Sequence, residues 1–119
     1  MKKVILLVTA FIFSASLAFA QIELQSGTFS ATAANSGYTL DKNSGDRTYL
    51  LEVNFPVPFE KAKPKIVLSV NRLDADNTVN LRYKVEAISI SRDNFTIKIS
   101  TWADSRVFEV GGTWLAYVE

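Results

Sequence analysis

Trp102 is the side chain of this sequence whose chemistry best suits ligand binding. Side chains of a strand alternate between two faces, so Trp102 shares the polar face of its segment with Thr96, Lys98 and Ser100. An exposed indole stacks well on the C–H face of a sugar ring, while polar groups at its rim bind the hydroxyls. The alternative is a tryptophan that packs under the neighbouring loop.

Arg82 is the second candidate ligand-binding side chain. The alternation of the segment that begins at Leu81 puts Arg82 on the same face as Ile90 and opposite Leu81. A guanidinium at the start of a strand is free to offer its planar fork of N–H donors to a ligand. The alternative is a surface ion pair of Arg82 with Glu86 or Asp104.

The composition removes most catalytic and metal chemistry. With no His and no Cys, the chain has no thiol nucleophile, no histidine acid or base and no zinc site of the usual kind. The acidic run Asp74–Asn77 lacks the glycine and glutamate of a calcium loop, which favours a plain Asx-type turn. Nothing marks a catalytic pair of carboxylates. We therefore expect a protein that is not an enzyme and needs no cofactor or metal.

Residues 1–20 have the pattern of a secretory signal peptide. Lys2-Lys3 is followed by an apolar stretch and by Ala18-Phe19-Ala20, which predicts cleavage before Gln21. A membrane anchor is the alternative, but the stretch from Val4 to residue 20 is short for a spanning helix. We therefore expect a secreted, periplasmic or cell-surface protein.

Cleavage would leave a single domain over residues 21–119. It removes two of the 13 basic residues and none of the 12 acidic ones, so the mature chain is close to neutral. A near-neutral domain lacks the positive charge of a nucleic-acid-binding protein, and it has no further apolar run long enough to span a membrane. Without disulfides, a domain of this size depends on packing and often on oligomerisation.

Short β-branched and aromatic segments separated by polar turns predict an all-β fold. No segment has a sustained helical period, and six strands with such connections are typical of a sandwich or a barrel. The predicted strands are Ile22–Phe29, Arg47–Phe55, Lys65–Leu73, Leu81–Ile90, Phe95–Trp102 and Val107–Tyr117.

Several blocks of the sequence occur in the order in which the H-type lectin domain has them. The best-matching part is residues 53–117, and Gln25-Ser26-Gly27 resembles the family's N-terminal Q-S-G. The other matching blocks are Phe55–Pro64, Lys65–Asp74, Asn80-Leu81-Arg82, Asn94–Trp102, Arg106-Val107-Phe108 and Thr113-Trp114-Leu115-Ala116. The chain therefore resembles the H-type lectins, the family of snail agglutinins and slime-mould discoidins.

The resemblance implies a six-stranded antiparallel β-sandwich that assembles as a homotrimer, sometimes doubled into a hexamer. Proteins of this family bind glycans with galactose or N-acetylgalactosamine residues at subunit junctions, without a metal ion. The resemblance thus implies a lectin that acts in adhesion or glycan recognition. The alternative is a structural or adhesive surface domain that keeps the sandwich and has lost sugar binding.

The resemblance also assigns the binding residues. The family's arginine and tryptophan correspond to Arg82 and Trp102. Ala103 stands where the family often has a histidine, and Phe108 stands where it has a tyrosine, so that the ring is kept and the hydroxyl is lost. Losing one hydrogen bond costs about 0.5–1.5 kcal/mol, so these two departures favour the alternative without sugar binding.

A glycine and an acid of the neighbouring subunit complete the family's binding site. Gly45 and Asp46, which follow the turn sequence Asn43-Ser44, are the corresponding residues. The resemblance therefore predicts that the Gly45-Asp46 pair of one subunit approaches the Trp102 of another.

Overall fold

A computed structural model describes residues 22–119, and the predicted signal peptide lies outside this range. These residues form six strands, which confirms the all-β fold with its six strands. The strands are β1 (Glu23–Thr32), β2 (Arg47–Asn54), β3 (Lys65–Ala75), β4 (Tyr83–Ile88), β5 (Asn94–Thr101) and β6 (Val107–Val118). Within this described range, no helix is long and apolar enough to cross a bilayer.

The strands form two three-stranded sheets that pack as a sandwich. One sheet has the order β1-β6-β3 and the other β2-β5-β4, and every pair of neighbours is antiparallel. This arrangement confirms the antiparallel β-sandwich. Because β5 is the central strand of its sheet, it controls which residues of β2 and β4 lie beside one another.

Alternation along β5 separates the core from the outer surface, as the sequence predicted. Phe95, Ile97 and Ile99 are fully buried between the sheets. Phe95 packs against Phe55 and Trp114, with ring centroids 5.6 and 5.7 Å away. This aromatic cluster joins the two sheets, since Trp114 belongs to β6. The outward side chains of β5 are consequently free to form a surface.

A glycine pair in β6 lets the central strand approach β3 closely. The register of β3 against β6 slips between Val70 and Arg72, which leaves one extra residue in β3 opposite Gly111 and Gly112. A Cβ atom at Gly112 would overlap the carbonyl oxygen of Ser69. The close approach of β3 at this β-bulge explains why β6 has a glycine at position 112.

The predicted faces at both ends of β4 were wrong. The strand begins at Tyr83 rather than Leu81, and Leu81 is 45% exposed instead of facing the core. At the other end, Ser89 has a left-handed backbone with a φ of 52°. This turn breaks the alternation, so Ile90 packs against the core although the sequence pattern put it on the polar face.

Candidate functional site

The register of the β2-β5-β4 sheet brings three of the predicted site residues to the same end of the sheet. The last paired residues at this end of the sheet are Arg47, Thr101 and Tyr83. Because these three lie on the core side, the residues one step further along each chain point outward. Those residues are Asp46, Trp102 and Arg82. These three residues form a row just beyond the last paired residues, with an indole next to the central strand, an acid next to β2 and a guanidinium next to β4.

Trp102 is exposed rather than packed under the loop that follows it. Its exposed fraction is 40%, and it lines an open groove with a volume of about 360 Å³. Asp46, Thr48, Lys98 and Ser100 line the same groove. The groove runs over the outer face of β2 and β5, with the indole at its end. Its lining combines one aromatic surface with hydroxyl and charged groups.

The side chain of Arg82 lies against the loop that follows Trp102. Its Nη1 atom donates to the carboxylate of Asp104 at 2.7 Å and to the hydroxyl of Ser105 at 3.3 Å. The ion pair with Asp104 is one of the two that the sequence offered, and Glu86 pairs with Lys84 instead. Within the described residues, the guanidinium uses only Nη1 for hydrogen bonds. Nε and Nη2 keep their donors for a ligand.

The buried guanidinium of Arg47 joins the two loops that carry Asp46 and Trp102. Arg47 is only 8% exposed. It donates to the carbonyl oxygens of Ala103 at 2.8 Å and Ser105 at 2.7 Å on one side. On the other side it donates to the carbonyl oxygens of Gly45 at 2.9 Å and Lys42. These bonds fix the distance between the acid and the indole of the row.

Gly45 and Ala103 both have a left-handed backbone, with φ angles of 78° and 57°. Glycine adopts this conformation at little cost, whereas alanine does so rarely. The backbone N–H of Ser105 donates to the carbonyl oxygen of Trp102 at 3.4 Å, which closes a tight turn around Ala103. Histidine is enriched at left-handed positions, so the turn itself can hold the residue that the family often has there.

Phe108 lies apart from the groove. It belongs to β6 in the other sheet, and the guanidinium of Arg106 covers its ring at 5.2 Å from the centroid. Arg106 also donates to the carbonyl oxygen of Asp41 at 2.8 Å and lies 3.6 Å from the carboxylate of Asp76. The structure therefore brings together Asp46, Trp102 and Arg82, and it places Phe108 in a different set of contacts.

The acidic run Asp74–Asn77 forms the Asx-type turn that the sequence favoured. The carboxylate of Asp76 accepts from the hydroxyl and the backbone N–H of Thr78, at 2.6 and 2.8 Å. These bonds hold the pKa of the Asp76 carboxyl below its ordinary value. The predicted turn began at Asp74, but β3 extends to Ala75. Within residues 22–119, no three His, Cys, Asp or Glu side chains are grouped to hold a metal ion.

Sequence reasoning missed part of the groove and the residue that supports it. Alternation along β5 had already placed Lys98 and Ser100 on the face of Trp102, but nothing linked them to Thr48 on a different strand. That link needs the register between β2 and β5. The role of Arg47 had no sequence signal. Its four acceptors are backbone carbonyls, two in the loop just before it and two in the distant loop after Trp102.

Comparisons with known proteins define first the fold and then the family. Two structures of discoidin II from Dictyostelium discoideum, one recombinant and one wild-type, have TM-scores of 0.71 and 0.72. Both are 22% identical in sequence and cover 82% and 83% of this chain. The H-type lectin domain matches residues 51–117, more than half of the chain. The chain belongs to the H-type lectin domain family.

One curated relative is similar in sequence as well. It is described as "ATP synthase subunits region ORF 7" of Fuscovulum blasticum and is 36% identical over 73 residues. That alignment covers 61% of this chain and 63% of the relative. The chain spans 37% of each discoidin II chain, so most of each discoidin lies outside the likeness.

We predict that Arg47→Met lowers the free energy of unfolding by about 3 kcal/mol, because it leaves buried carbonyl oxygens of both loops without a donor. Chemical denaturation monitored by circular dichroism measures the change. Arg72→Met is the matched control. Arg72 is an exposed arginine paired with Glu109 at 3.0 Å, and its loss should change stability by at most about 0.5 kcal/mol. Equal losses in the two variants would contradict the role given to Arg47.

Proposed function

We propose that the protein is a carbohydrate-binding protein that recognises galactose-type glycans and performs no chemistry on them. The observation that carries the proposal is the exposed groove that Asp46 and Trp102 line, with Arg82 at the same end of the sheet. Membership of the H-type lectin domain family supports it, and so do the discoidin lectins that share the fold. The chain brings no histidine or cysteine to such a site, so binding must rest on stacking, hydroxyls and charges.

Each member of the row supplies one part of sugar recognition. The indole of Trp102 stacks on the C–H face that a galactose ring presents. The carboxylate of Asp46 accepts hydrogen bonds from the sugar hydroxyls, and the free N–H groups of Arg82 donate to hydroxyl or acetamide oxygens. Bonds that involve an ionised partner are stronger than neutral ones, which suits a shallow, wet site.

One observation favours a second candidate, a structural or adhesive surface domain without sugar binding. The Nη1 atom of Arg82 is engaged by Asp104, so this arginine is already paired before any ligand arrives. Ala103 and Phe108 also lack the polar groups of the residues that they replace in the family pattern. Direct binding measurements separate the two candidates.

We predict that Trp102→Ala weakens the binding of galactose and N-acetylgalactosamine by about tenfold or more, since the stacking surface is lost. Arg82→Ala should weaken binding less, because part of its donor set is held by Asp104. Isothermal titration and a glycan array measure both effects. Val57→Ala removes an exposed apolar side chain from a loop outside the groove and should leave binding unchanged.

Binding that is absent, or that is indifferent to both substitutions, would remove the lectin assignment at this site. Added EDTA should leave the affinity unchanged, because stacking and hydrogen bonds need no metal ion. Loss of binding in EDTA would instead indicate that a metal ion is needed, with the acidic turn around Asp76 as its candidate site.

We predict that Ala103→His strengthens the binding of N-acetylgalactosamine by about tenfold, which corresponds to one added hydrogen bond. The left-handed backbone at residue 103 tolerates histidine, so the fold should not change. Ala103→Leu is the control that adds bulk without a polar group. If leucine improves affinity as much as histidine does, the added hydrogen bond is not the cause.

We propose further that the protein assembles as a homotrimer, with the groove of each subunit at its junction with the next subunit. Asp46 and Trp102 of one chain already line that groove, so the neighbour would complete a site that the single chain begins. Linked weak sites gain effective concentration on a dense glycan surface, which compensates for poor affinity at each site. Light scattering on the protein should give three times the mass of one chain. A monomer that still binds sugar would show that Asp46 and Trp102 of the same chain suffice.

The place of action is also a proposal. The leader-like pattern of residues 1–20 supports export to the periplasm, the cell surface or the medium, where adhesion to glycans takes place.

A further inference from the structure

The groove extends beyond Trp102 along the outer face of β5. Two further rows follow the row of Trp102, because β2, β5 and β4 stay in register. The second row is Thr48, Ser100 and Lys84, and the third is Leu50, Lys98 and Glu86. Lys98 is four residues from Trp102, which is about 13 Å along a strand. The groove is therefore longer than one pyranose ring.

Hydroxyl groups lie between the two ends of the groove. Thr48 and Ser100 both line it, and they are direct neighbours in the register of β2 and β5. Among the described residues, no side-chain hydrogen bond uses either hydroxyl. Each hydroxyl can therefore donate to and accept from a ligand that lies along the strands.

The charges at the two ends of the groove have opposite signs. Asp46 lies beside Trp102, and Lys98 lies at the far end. Glu86 is closer to Lys84, at 3.2 Å, than to Lys98, at 3.9 Å. The ammonium of Lys98 is thus at the distance limit of an ion pair with Glu86. It can therefore still pair with an anionic group of a ligand. An anionic group is favoured near Lys98 and disfavoured near Asp46.

We propose that this groove binds an oligosaccharide whose second residue carries an anionic substituent, a carboxylate or a sulfate. The first residue stacks on Trp102, and the anion of the second is bound by Lys98 with the hydroxyls of Thr48 and Ser100. This inference rests on the proposed sugar binding at Trp102. It makes Lys98 the residue that determines specificity for acidic over neutral glycans.

The test compares three disaccharides with terminal galactose by isothermal titration at low and high salt. The second residue is glucose in the first, glucuronic acid in the second and 6-sulfated glucose in the third. At low salt we expect at least one acidic disaccharide to bind about tenfold more tightly than the neutral one. The gain should shrink at high salt, because a partly exposed ion pair is screened. Preference for only one acidic disaccharide identifies which anion the site accepts.

Substitutions test whether Lys98 causes the preference for acidic disaccharides. Lys98→Gln should abolish the preference for the acidic disaccharide over the neutral one. Lys98→Arg should retain the preference, which guards against a variant that merely folds poorly. Glu86→Gln should increase the preference, since it removes the competing carboxylate. The matched control is Lys65→Gln, a lysine on the other sheet.

The outcomes separate this inference from the function on which it rests. If all three disaccharides bind equally well, or if Lys65→Gln abolishes the preference as Lys98→Gln does, the acidic subsite is wrong and the lectin function stands. If none of the three binds, the proposed function fails and this inference fails with it.

Discussion

The buried guanidinium of Arg47 is the interaction on which the geometry of the candidate site depends. The two loops at this end of the sheet have no regular pairing of their own, and their carbonyl oxygens would otherwise be left without donors. Arg47 supplies several donors from one rigid, permanently charged group and binds carbonyls of both loops. Burying a charge is costly unless its hydrogen bonds are satisfied, so the guanidinium and the loops stabilise one another. The acid and the indole of the row are held together as a consequence.

The register of the strands then extends this local arrangement across the outer face of the sheet. Thr101 pairs with Arg47 on one side and Tyr83 on the other, and its hydroxyl donates to the carbonyl oxygen of Arg82 at 2.5 Å. Ser105, which is fully buried, accepts from the backbone N–H of Arg82 at 3.0 Å. These contacts tie the third member of the row to the other two. The other outward-facing rows of the sheet have the same alignment. A slip of one residue in any strand would turn its outward side chains toward the core.

The sequence was sufficient for the fold and for the side chains that a single strand presents. Alternation predicted the buried face of β5 and the exposure of Trp102, since both are properties of one segment. It failed where the backbone leaves the extended conformation: Ser89 reverses the face of Ile90, and no pattern of apolar residues reveals a positive φ. The role of Arg47 also could not be predicted, because it depends on main-chain oxygens of Ala103 and Ser105 that only folding brings near. The groove needed the pairing of two strands, which one sequence does not specify.

The loop after Trp102 shows that the shape of the site and its donor set are separate properties. Ala103 has a left-handed backbone, although alanine does not favour this conformation. It costs about 1–2 kcal/mol for a residue with a Cβ. What holds it are bonds to main-chain atoms: Arg47 donates to the carbonyl of Ala103, and Ser105 donates to that of Trp102. The side chain of residue 103 has no part in either bond. A change there alters which groups meet a ligand while the groove keeps its form. The same fold can therefore carry different side chains at this position, and the family likeness of the sandwich carries less information about a ligand than the groove does.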